Sequence, residues 1–137
     1  MRNILQTDTL LKSEWMSNQQ LLSYWILVIF LLILGVFIPW SAILSNFFLL
    51  DTLAHMILYS ILSLIPMILF KNRKTAFLLA IGMTPIGYIL EMLHMMVTQE
   101  SFSAINVLAN NTGDLAGIAL GFIVRLKRHY SPTGENN

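Results

Sequence analysis

The chain has 137 residues, 56% of them hydrophobic and only 11% charged, with eight Lys and Arg against seven Asp and Glu. An average soluble domain carries about 25% charged residues, so the composition points away from a soluble globule and toward the bilayer. The absence of cysteine excludes disulfides and thiolate metal sites, and a formal net charge of +1, sorted into short clusters, gives nucleic acid no footing.

A hydrocarbon core about 30 Å thick takes about 20 helical residues to cross. Residues 1–20 mix polar groups with Ile4, Leu5, Leu10, Leu11, Trp15 and Met16. They read as a cytoplasmic N-terminal segment, either a short interfacial helix or a disordered tail. Residues 21–40 form the first apolar run, too long for a signal-peptide core and without a small-residue cleavage site, and so a retained helix. Trp25 and Trp40 bracket it as interface markers. With no strongly hydrogen-bonding group in its middle, this span is expected to face lipid and support the others.

Residues 51–70 and 75–97 supply the second and third spans, with Pro66 in one and Pro85 and Gly87 in the other as expected kinks. Membrane helices tolerate proline where neighbours satisfy the freed backbone groups. The fourth span, 105–126, is purely apolar only over 115–124. Its first half carries Asn106, Asn110, Asn111 and Asp114, which must face protein or a water-filled cavity. Gly113, Gly117 and Gly121 recur every four residues, a small-xxx-small stripe that lets helix backbones approach closely. Residues 129–137, with Pro132 and Gly134, read as a polar cytoplasmic tail.

The basic residues orient this arrangement. Arg2 and Lys12 precede the first run, Lys71, Arg73 and Lys74 separate the second from the third, and Arg125, Lys127 and Arg128 follow the fourth. The other two connections, 41–50 and 98–108, contain none. Basic loops are retained inside, so the expected fold is an all-α, four-transmembrane-helix bundle in residues 21–128 with both termini cytoplasmic.

That orientation brings three polar stripes together at the outward end. Asp51, His55, Tyr59 and Ser63 share a face of the second span at four-residue spacing, as do Asn106, Asn110 and Asp114 on the fourth. Tyr88, Glu91 and His94 recur every three on the third. Asp51, Glu91, Glu100 and Asp114 have no Lys or Arg on their side. Either some carboxyls keep their protons or a cation neutralises them. A plain interhelical hydrogen-bond network is the alternative.

The order of these residues resembles the VanZ-like family of small bacterial membrane proteins, over about residues 51–121. Asp51, His55 and Tyr59 match the family's opening Asp, His and Tyr. Glu91 matches its Glu, with His94 where Gln is usual, and Asn110, Gly113 and Gly117 match its closing Asn and spaced glycines. Glu100 stands where the family has Arg, and Asn106 where it has Asp. The resemblance implies a multi-pass protein of the bacterial cytoplasmic membrane, linked in its namesake to low-level resistance to the glycopeptide teicoplanin.

Two functions follow as expectations. In the first, Asp51, His55, Tyr59, Glu91, His94, Asn106, Asn110 and Asp114 line an outward pocket for a lipid or envelope head group, or a lipophilic glycopeptide. Carboxylates and amides suit an amine-bearing or polyhydroxylated ligand better than a phosphate. In the second, the protein is an intramembrane enzyme on an outer-leaflet lipid-linked substrate. Glu91 is then general acid or base, His55 or His94 its proton partner, and Asp51 orients His55. No cofactor is demanded, although the spacings of Asp51 with His55 and Glu91 with His94 permit a divalent metal. Oligomeric state is not legible.

Overall fold

The computed structural model describes residues 2–39, 43 and 48–130, with side chains from residue 18 onward, residue 48 excepted. Among the described residues the regular structure is helical throughout: α1 (Arg2–Gly35), α2 (Phe48–Leu69), α3 (Arg73–Ile81), α4 (Met83–Thr98) and α5 (Ala104–Tyr130). Four stretches are long and apolar enough to cross a membrane: Asn18–Gly35, Leu49–Leu69, Arg73–Thr98 and Ala104–Tyr130. The chain is an all-helical, multi-pass membrane protein whose spans fall close to the four apolar runs. Trp40, residues 41, 42 and 44–47 of the first connection, and residues 131–137 of the expected tail lie outside the described residues.

Local differences have physical causes. The N-terminal segment does not form a separate element, because α1 runs unbroken from Arg2. The third span is two helices that meet at Gly82. Pro85 accounts for the position: it has no N–H to offer the carbonyl of Ile81, four residues back, and its ring crowds that carbonyl. The break therefore falls at Ile81 and Gly82, and Pro85 sits in the first turn of α4, where a missing donor costs nothing. At the other end of the segment, Asn72 caps α3 by accepting from the backbone N–H groups of Lys74 and Thr75.

Between helices in lipid the hydrophobic effect gives little, so close packing and hydrogen bonds hold the bundle. The tightest seam joins α2 to α5, which run parallel. A Cβ on Gly113 would lie 2.2 Å from the Met56 carbonyl oxygen, and one on Gly117 the same distance from that of Ser60. On Gly121 it would meet the Met67 Cβ at 2.4 Å. Each glycine is thus a point where the backbone of α5 lies against α2.

Pro66 has a different consequence. It cannot donate to the carbonyl of Leu62, and the Trp25 indole supplies the missing bond, Nε1 donating to that oxygen at 2.9 Å. Trp25 therefore anchors α1 on the bundle, seven residues inside the apolar stretch that starts at Asn18. One face of α1, with Leu21, Leu22, Val28, Ile29 and Leu32, packs on the core, while the other, with Tyr24, Ile26, Leu27, Phe30, Leu31 and Leu34, is exposed. Where α2 ends, Arg125 of α5 donates to the carbonyls of Met67 and Phe70, which have no partner within the helix.

Candidate functional site

The polar residues of α2, α4 and α5 converge in two layers with Tyr59 between them. The deeper layer centres on Asp114, which is 1% exposed. Ser63 of α2 donates to its Oδ1 at 2.6 Å, and Thr84 of α4 to its Oδ2 at 2.8 Å. Both oxygens are occupied, and one carboxyl ties three helices together. The break at Gly82 belongs to this layer, since it sets the first turn of α4, with Thr84, beside Asp114. Above it, the buried Tyr59 ring lies against Gly87, where a Cβ would come within 2.9 Å of the ring.

The outer layer occupies the start of α2, the end of α4 and the start of α5. Asn106 Nδ2 donates to Asp51 Oδ2 at 3.0 Å, and His55 Nδ1 lies 3.0 Å from Asn110 Oδ1. His55 Nε2 stands 3.7 Å from Asp51 Oδ1, beyond a hydrogen bond but close enough for an ion pair. Because α2 and α5 run parallel, their four-residue stripes meet rung by rung: Asp51 with Asn106, then His55 with Asn110.

Glu91 is buried, and its Oε1 accepts the backbone N–H of Ser103 at 3.0 Å. Ser103 precedes α5 and accepts from the Asn106 N–H through its own hydroxyl. Within one helix, a capping box uses the third residue's carboxylate to reach back to the N-cap N–H. Here Asn106 holds that third position, and the carboxylate comes from Glu91 of α4. That carboxyl group sits at the positive end of the α5 dipole. His94 is held on both sides: Nδ1 lies 2.8 Å from the Val36 carbonyl, and Nε2 3.0 Å from Glu100 Oε2. A carbonyl only accepts, so Nδ1 is the donor in the bond to Val36.

Thus the four acids have separate partners. Asp114 has two hydroxyls, Glu91 a helix N-terminus, Glu100 a histidine, and Asp51 an amide and a histidine. The expected single pocket divides accordingly. Asp51, His55, Asn106 and Asn110 come together; Glu91 holds the start of α5 and His94 the end of α4; Asp114 and Tyr59 lie deeper. Among the described residues no three His, Asp or Glu side chains gather as a metal-holding group. Tyr88 does not join the stripe. It is half exposed and packs edge-on against Phe102, while the buried face of α4 is Met83, Gly87 and Glu91.

Thr84 and Ser103 were not singled out by the sequence pattern. Thr84 stands one heptad before Glu91, the signal that could have placed it. Ser103 has the signature of a helix cap just ahead of the polar run.

One atom in the site is unsatisfied. Asn106 is 8% exposed, and its Oδ1 is buried without a hydrogen-bond partner. Turning the amide over does not remove the defect, since Oδ1 would then face the Asp51 carboxylate and Nδ2 would be the unpartnered atom. Asp51 and His55 beside it keep 23% and 27% of their side-chain surface exposed. The outer layer therefore holds a buried, unpartnered acceptor next to a partly open carboxylate. Comparisons with protein-family models, with curated proteins and with solved structures gave no match.

Proposed function

We propose that this chain is a VanZ-like protein of the bacterial cytoplasmic membrane, both termini inside, whose outward polar layer binds a lipid or envelope head group bearing N–H or O–H donors. The carrying observation is the buried, unpartnered Asn106 Oδ1 beside the partly exposed Asp51. A buried acceptor without a donor costs about 1–3 kcal/mol, and a bound ammonium or hydroxyl removes that cost. A primary ammonium suits the pair best, because it donates to the amide oxygen and neutralises the carboxylate together. Glu91 is given to holding the start of α5, which favours binding over acid–base catalysis at this end.

The test compares unfolding of the purified protein in bicelles containing phosphatidylethanolamine or phosphatidylcholine. Both head groups are cationic at nitrogen, but only ethanolamine has N–H donors. The reading expects selective stabilisation by ethanolamine lipid, about 3 kcal/mol at a hundredfold excess over Kd, and its loss in Asn106→Ala. Equal stabilities in both lipids would contradict it. Teicoplanin, added in the same assay, tests the antibiotic branch of the reading.

A further inference from the structure

At the opposite end of the bundle, residues of α3 and α5 border a cavity of about 380 Å³, within the size range of small-molecule sites. Arg73, Arg125 and His129 line it, and among the described residues around it none is acidic. Phe77 and Phe122 form apolar walls and are themselves 46% and 55% exposed, so the cavity opens onto the flank that lipid covers. The cations are prearranged. Arg125 is fixed by donating to the Met67 and Phe70 carbonyls. A guanidinium has five N–H donors, so others remain for a ligand. Arg73 is the first residue of α3, directly after its Asn72 cap, where the helix dipole adds positive potential.

We infer that this cavity is a head-group site for an anionic phospholipid of the leaflet at the basic end, with the phosphate between Arg73 and Arg125 and an acyl chain along Phe77 and Phe122. The paired cations select phosphate, as guanidinium groups do. The aromatic walls select a phosphate that carries a chain, since a free phosphate gains nothing from them. This site stands apart from the outward layer and does not depend on the function proposed for it.

The test is native mass spectrometry of the full chain released from micelles holding equal phosphatidylglycerol and phosphatidylcholine, wild type beside Arg73→Gln and Lys71→Gln. Lys71 is exposed and does not border the cavity, so its loss removes the same charge from the same end. Phosphatidylglycerol adducts should exceed phosphatidylcholine adducts about tenfold in wild type and fall about tenfold in Arg73→Gln, the scale of one charge-assisted hydrogen bond. They should stay within about twofold in Lys71→Gln. Should Arg73→Gln lower the thermal midpoint, Phe77→Glu replaces it, since an acid on the wall must also abolish the adduct. Equal losses in Arg73→Gln and Lys71→Gln would reduce the cavity to diffuse surface charge and overturn the inference. Displacement of the lipid by millimolar inorganic phosphate would make it a site for the free ion and overturn it equally.

Discussion

Asp114 and Asp51 are the same residue type, both on the seam between α2 and α5, yet they do opposite things. Asp114 is closed: both oxygens accept hydroxyls from neighbouring helices, and almost none of it is exposed. Asp51 is open: one oxygen takes the Asn106 amide, the other stands off from His55, and the acceptor next to it has no donor. A satisfied polar group in a membrane bundle is a fastener, whereas a partly satisfied one is a place for something else to bind. Counting polar residues therefore says less than asking which of their atoms remain unpaired.

That contrast is sharpened by substitutions whose effects on stability and on binding should run in opposite order. Gly117→Ala should do most damage, because the new Cβ would lie 2.2 Å from a backbone oxygen that no rotamer change can move. We expect a loss of about 3 kcal/mol, the upper end of ordinary overpacking, read by unfolding in mixed micelles of dodecyl sulfate and maltoside. Asp114→Ala comes next at about 2 kcal/mol, since it releases the buried Ser63 hydroxyl, the part-buried Thr84 hydroxyl and the link among three helices. Asp114→Asn should recover most of that loss in the same titration. Trp25→Phe should cost about 1 kcal/mol by leaving the Leu62 carbonyl without a donor, and amide exchange should show α1 detaching before the remaining helices. Asn106→Ala should change stability by under about 0.5 kcal/mol, because it removes an unsatisfied acceptor together with one bond. It alone among these should abolish selective stabilisation by ethanolamine lipid.

Much of the fold was legible because long apolar runs and four-residue stripes are strong signals. The glycines of α5 face α2 as their spacing implies, and the polar residues of α2 and α5 meet in register. On α4 the stripe was misphased. Tyr88 and His94 are six residues apart, which at 3.6 residues per turn separates them by about 120° around the helix, so they cannot share a narrow face. The true face steps by four, through Met83, Gly87 and Glu91. The partners of the acids were hidden for another reason. A neutralising cation and a plain hydrogen-bond network both stood open in the sequence, but which histidine, hydroxyl or helix N-terminus meets which acid is decided only when the helices are packed. Trp25 is intermediate. That Pro66 frees the Leu62 carbonyl can be read from the sequence, whereas the donor that fills it comes from a helix 37 residues earlier in the chain.

The most direct test of the open-against-closed distinction is native mass spectrometry of wild type, Asn106→Ala and Asp114→Asn, released from detergent micelles that contain phosphatidylethanolamine. The account predicts an ethanolamine-lipid adduct on wild type and on Asp114→Asn that is absent from Asn106→Ala while that protein remains folded. An adduct that survives Asn106→Ala, or its absence from wild type, would contradict the assignment of the outer layer as a binding site.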